Sequence, residues 1–212
     1  MESTGNYWQN LYVELEKHGL EVTLVNGKFT KNIKGKKTDV KDARWIQKLH
    51  SIGLLTGSFL PDETTETLRT FCRQRQNMLD LAAEASHKMQ KYLKILNFRL
   101  DVVVNDICGL TGLAIIADIC SGNLDPKELA KHRHGNCRTP EEEIAKALKG
   151  NNRADYLFGL KQEFESYNFY QKKVAEWDKQ ISAFLKNQIN TDPEKKKLKT
   201  DDKKHKLKQE RP

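Results

Sequence analysis

The stretch TDVKDA holds Asp39 and Asp42 three residues apart at the start of an amphipathic run. On a helix that spacing sends both carboxylates out of one face. The helix dipole favours acids in the first turn, yet the two charges repel each other. A divalent cation between them would relieve the repulsion. Magnesium suits such a pair, because it takes a few carboxylates and completes its shell with water and phosphate oxygens. Two such ions can clamp the attacking and leaving oxygens of a phosphodiester. A solvated helix start gives the same pattern, and spacing alone does not separate the two readings. Two neighbours favour phosphate chemistry. The segment GKFTKNIKGKK (27–37) just upstream carries Lys28, Lys31, Lys34, Lys36 and Lys37, which could hold a nucleic-acid backbone beside a metal. Glu2 supplies a third carboxylate. A second candidate cluster, His132, His134 and Cys137 in HRHGNC, has no second ligand pair and falls short of a closed four-ligand zinc site.

Elements must position these groups. Tyr7, Trp8, Leu11, Tyr12 and Leu15 recur at helical steps, with Ser3 or Thr4 placed to cap the start and Gly19 to end it. LEVTLVN (20–26) reads as a short buried strand. If an earlier strand ends at Glu2, the unit is strand–helix–strand with a parallel pair. Functional groups in such sheets collect at the carboxyl ends of strands, where Glu2 would stand. Thr38 caps the next helix, DVKDARWIQKLHSIG, whose inner stripe is Ala43, Ile46, Leu49 and Ile52.

The character changes after Pro61. Residues 62–100 contain no Gly or Pro, and Leu79, Ala82, Ser86, Met89, Leu93 and Leu96 form a heptad seam. A second long stripe runs over 153–188 through Leu157, Leu160, Phe164, Tyr167, Val174, Trp177, Ile181 and Phe184. The two stripes predict an antiparallel helical hairpin, although an ordinary bundle core would show them too. Between its arms, Gly109, Gly112, Gly122, Pro126, Gly135 and Pro140 break residues 101–150 into short helices. The charged end, PEKKKLKTDDKKHKLKQERP, has too little apolar content to fold alone.

Composition agrees. A charge of +8 favours an anionic partner, most often nucleic acid, although the tail contributes part of it. With 37% hydrophobic and 31% charged residues the chain suits long exposed helices better than a compact globule. The start lacks the pattern of a secretory leader. The longest apolar run, LAIIA (113–117), is too short to span a bilayer. Four widely spaced cysteines without a CxxC pair read as reduced thiols, and the expected location is the cytoplasm.

The phrases MESTGNYW, LVNGKFTKNIKGKKTDVKDARWIQKL and GLLTGSF, in this order, resemble the amino-terminal nuclease domain of a group of bacterial insertion-sequence transposases of the DEDD type. DICGLTGLAIIADICSG and DPKELA resemble the helical region that follows in that group, so the likeness covers about residues 1–185. It implies a Holliday-junction-resolvase-like, ribonuclease H-like domain with four acids that bind magnesium. Glu2 matches the second acid, Asp39 the third and Asp42 the fourth. No residue here matches the first, and no carboxyl-terminal serine domain follows residue 190, which implies a chain truncated at both ends. The family cleaves and exchanges DNA strands in transposition, works as an oligomer, and is guided by a structured RNA from its own element.

The expectations are therefore these. The fold is α/β then mostly α: a partial ribonuclease H-like nuclease domain (1–61), a helical, coiled-coil region (62–190) forming a long antiparallel hairpin with short helices between its arms, and a disordered basic tail (191–212). The function is that of a transposase, with Glu2, Asp39 and Asp42 as catalytic and metal-binding residues. Lys28, Lys31, Lys34, Lys36, Lys37, Arg69 and Arg73 would contact nucleic acid. Partners would be DNA, a guide RNA and further copies of the chain, with no membrane. The alternative is an inactive fragment that only binds nucleic acid or oligomerises. A free-standing coiled-coil scaffold is a third reading. Whether this chain is itself an enzyme stays open.

Overall fold

The computed structural model describes residues 1–3, 5, 7–30 and 38–191. The chain divides into two compact units, Met1–Glu63 and Thr64–Pro212. The lysines at 31, 34, 36 and 37 and the basic tail from 192 onward lie outside the described residues.

In the first unit, helix α1 (Tyr7–Lys17) turns its half-buried side, Trp8, Tyr12 and Leu15, inward. Tyr7 is 90% exposed and Leu11 52% exposed, so the inner stripe is narrower than the periodicity suggested. Gly19 ends the helix at φ +75, the left-handed conformation that glycine adopts without strain. The Leu20 N–H then returns to the Leu15 carbonyl at 3.1 Å. Next come the single turn α2 (Gly27–Thr30) and helix α3 (Asp39–Ser51). Trp45, Ile46 and Leu49 form the inner side of α3, whereas Ala43 and Ile52 face solvent.

The expected α/β architecture is overturned. Among the described residues there is no strand and no sheet, so no ribonuclease H-like layer exists to be covered by helices; the described chain is mostly α. What remains of the LEVTLVN strand is an isolated parallel bridge between Glu2 and Val25. Val25 N–H donates to Met1 O at 2.8 Å and Ser3 N–H to Val25 O at 2.9 Å. The Met1 amino group donates to Thr23 O at 2.8 Å, and on the other side Ser58 N–H reaches Leu24 O at 2.6 Å. Leu24 and Val25 are buried. β-branched content and burial make the segment extended, but a ladder needs pairing over several residues, and among the described residues this one has three backbone hydrogen bonds on one side and one on the other.

The second unit is built on two long helices, α4 (Glu63–Ile95) and α9 (Ala154–Thr191). At 33 residues α4 is about 50 Å long. The two run antiparallel: Phe71 meets Trp177 and Phe184 with ring centroids 5.7 Å apart, Arg75 pairs with Asp178 at 2.6 Å, and Tyr92 meets Tyr156 at 6.3 Å. The buried seam on α4 is Ala82, Ala85, Met89 and Leu93. The short helices α5 (Leu100–Val103), α6 (Leu110–Cys120), α7 (Pro126–Ala130) and α8 (Glu141–Ala147) fold against this end. They supply a large part of the core: Leu100, Ile115, Ile116, Leu129 and Ile144 are fully buried. Asn97, at φ +63, closes α4, and the Phe98 N–H returns to Leu93 O at 2.8 Å. Segment 147–151 is stitched to this turn by Arg99 N–H to Ala147 O (2.8 Å) and Asn97 Nδ2 to Lys149 O (2.9 Å).

Cys120, at the end of α6, is half-buried, and burial pushes its thiol up to about 11, with nearby Lys161 opposing. An acid held protonated to that pH carries almost no thiolate at pH 8, and thiolate is the reactive form. Iodoacetamide at pH 8 is expected to label Cys120 about a hundredfold more slowly than an unshifted thiol, the two-unit difference in ionisation. Peptide mass spectrometry over pH 7–11 checks this: labelling that does not accelerate toward pH 11 would contradict it.

Candidate functional site

Thr38 starts α3 in an extended conformation (φ −138, ψ 147), and its hydroxyl accepts from the Lys41 N–H. That cap satisfies one free amide of the first turn. Asp39 and Asp42 follow in that turn, both exposed. One helical step beyond Asp42 stands Trp45, half-buried, whose Nε1–H donates to the carbonyl of Thr30 at 3.0 Å. This bond fixes the rotation of α3, because Asp42 and Trp45 share a face.

Thr30 also reaches the third carboxylate. It is 6% exposed, and its Oγ1 lies 2.9 Å from Glu2 Oε2 and 3.1 Å from Gly27 O. A hydroxyl has one proton to donate, so these two acceptors share it. Gly27 completes a cradle. A Cβ there would overlap Glu2 Oε1 and stand 2.9 Å from Glu2 Cδ. The parallel bridge holds the Glu2 backbone, α2 holds its carboxylate, and Trp45 ties α3 to the same threonine. Gly27, Thr30 and Trp45 were missed in the sequence. Thr30 lies 28 residues from Glu2, and no local period reports a contact across that distance. The available hint was a tryptophan at i+3 from Asp42 on a short amphipathic helix.

The three carboxylates are not drawn into one cluster. Among the described residues no group of three or more His, Cys, Asp or Glu side chains could hold a metal ion. The HRHGNC residues have other work: His132 Nε2 lies 2.9 Å from Asp118 Oδ2, and His134 Nδ1 accepts the Asn136 N–H at 3.3 Å. Of the expected nucleic-acid contacts, Lys28 is exposed on α2, and Arg69 and Arg73 share an exposed face of α4 at i and i+4. Other cations of α4 are engaged, Arg75 with Asp178, Lys88 with Glu84 and Lys94 with Asp101.

Residues 1–98 match the family described as transposase, the DEDD transposases of the IS110 type. The match covers a little under half of the chain, and over those residues the chain is similar to that family. No curated protein and no solved structure matches the chain. Among the described residues no helix is long and apolar enough to cross a membrane.

Proposed function

We propose that this chain acts in insertion-sequence transposition in the bacterial cytoplasm, binding DNA as an oligomer with a guide RNA and cleaving and exchanging strands with magnesium. The observation that carries the reading is the single residue Thr30, which orients Glu2 through its hydroxyl and α3 through its carbonyl. Glu2, Asp39 and Asp42 would hold the metal. Their all-oxygen chemistry fits magnesium, which binds through one or two carboxylates and fills its shell with water and substrate phosphate. A magnesium ion held there would supply charge neutralisation at the scissile phosphate. Thr30 and Gly27 keep the Glu2 carboxylate in one orientation. Lys28 and the lysines at 31, 34, 36 and 37 would hold the phosphate backbone, and Arg69 and Arg73 of the second unit would contact nucleic acid as well.

A second reading has its own observation. Since the carboxylates are not gathered, the chain could serve only as a helical module that binds nucleic acid or oligomerises through α4 and α9. Magnesium-dependent nicking of branched DNA separates the two. The enzyme reading predicts nicking that Asp39→Ala lowers by at least about a hundredfold, the scale expected for loss of a major electrostatic catalytic contribution. Binding without nicking in any divalent metal would leave the module reading standing and overturn the enzyme.

A further inference from the structure

The second unit has an open cleft of about 520 Å³ between residues 103–111 and residues 134–139. It is far from featureless loop. Arg133 folds the segment from within: its Nε donates to Thr139 O at 2.7 Å, and its Nη2 donates to Cys137 O. Thr139 Oγ1 donates to Val103 O at 2.8 Å, and the His134 N–H donates to Thr111 Oγ1 at 3.0 Å. The segment is thus pinned at one end to α5 and at the other to the first turn of α6, through a threonine that is 7% exposed. An exposed polar loop gains little for the core from such fastening. What it gains is a fixed shape, which lowers the ordering cost of binding.

The polar groups lining that shape are mostly donors. The Arg138 guanidinium and the amides of Asn105 and Asn136 make no side-chain hydrogen bond or ion pair among the described residues. His134 accepts at Nδ1 from the Asn136 N–H, so its neutral ring carries the proton on Nε2 and is a donor there. Asp106 is the carboxylate in the lining, and it already accepts the Cys108 N–H at 2.8 Å. Val104 and Leu110 add an apolar edge. Donor excess with one fork-shaped cation selects a phosphate oxyanion. Two amides beside it can meet further phosphate oxygens or base edges.

We infer that this cleft binds the phosphodiester backbone of a nucleic-acid strand, with Arg138 on the phosphate and Asn105, His134 and Asn136 as supporting donors. The site adds to the function proposed above and shares with it only the nucleic-acid partner: it uses no carboxylate of the first unit and needs no magnesium. It can therefore fail or stand by itself.

The test is fluorescence anisotropy of a labelled single strand on the full chain, in chelator, over a range of salt. Arg138→Ala is compared with Lys146→Ala. Each removes one positive charge from an exposed side chain of the same unit, so the general attraction of a basic protein falls equally. Lys146 lines a different groove, beside α7 and α8. The expected result is that Arg138→Ala weakens binding about tenfold more than Lys146→Ala and lowers the salt slope by about 0.7, the value of one phosphate contact on a single strand. Asn136→Ala should weaken binding with the slope unchanged. Unaltered circular dichroism confirms that these exposed changes leave the fold intact. Equal losses for Arg138→Ala and Lys146→Ala would overturn the proposal. Inorganic phosphate that competes as effectively as an unlabelled strand, at equal phosphate concentration and constant ionic strength, would also overturn it, since the ligand would then be an isolated phosphate.

Discussion

Replacing Gly112 by alanine is expected to destabilise the second unit by about 2–3 kcal/mol, near the upper end of what overpacking costs. Gly112 is the third residue of α6 and is buried. A Cβ at this position would overlap Ile107 O and lie 2.6 Å from Ile107 C and 2.8 Å from Ile107 Cα. All three are backbone atoms, so no side-chain rotation relieves the clash. Ile107 is itself 3% exposed, and the turn behind it is fastened by Gly109 N–H to Asp106 O at 3.1 Å. The backbone can retreat only by withdrawing Ile107 from the core or by tilting α6 away from α9. Alanine's better helix propensity returns about 1 kcal/mol and does not offset this. Gly135 is the control. A Cβ there meets nothing within 4 Å, and Gly135→Ala should stay within about 0.5 kcal/mol of the parent. Urea unfolding followed by circular dichroism measures both. A Gly112→Ala chain as stable as the Gly135→Ala chain would show that the α5–α6 turn yields, contrary to this account.

The contrast between the two units explains what could be read from the residues and what could not. In α4 and α9 the core positions repeat along one element, and the period itself reports them. Ala82, Met89 and Leu93 on α4, and Leu160, Tyr167 and Val174 on α9, stand buried where the three- and four-residue steps placed them. Ala85 was missed because Ser86, one residue on, also fits a heptad; the structure buries the alanine and leaves the serine half-buried. In the first unit the same reasoning overreached. Tyr7 and Leu11 share the helical periodicity of α1 and yet are exposed. The LEVTLVN run has the apolar, β-branched content of a strand, but strand pairing depends on what lies beside it. Composition cannot supply a neighbour. The candidate site sits at the same boundary. Asp39 and Asp42 were visible as a pair because one helix spaces them. The cradle around Glu2 joins residues 2, 27, 30 and 45 from three segments, and nothing local in any one of them announces the others.

That cradle makes the second large effect one of metal affinity, and it rests on the proposed magnesium site. Thr30→Val is nearly the same shape and removes the hydroxyl that donates to Glu2 Oε2. Gly27→Ala places a methyl group where the Glu2 carboxylate now lies. Each change leaves the carboxylate itself in the chain and alters only its orientation. Groups that orient a metal ligand are worth about 10–100-fold in affinity when removed. Calorimetric titration with manganese, a probe for magnesium, should therefore show a loss of that size for both variants, with Thr30→Ser close to the parent. Trp45→Phe tests the other arm. It removes the Nε1–H bond to Thr30 O and should weaken manganese binding less than Thr30→Val, because it loosens α3 and spares the contact to Glu2. A structural role alone predicts a different pattern, in which thermal stability falls while affinity in the folded protein is unchanged. Unchanged manganese affinity in Thr30→Val, with the fold intact, would remove Glu2 from the metal set, because a carboxylate that ligates a metal cannot be indifferent to losing the group that aims it.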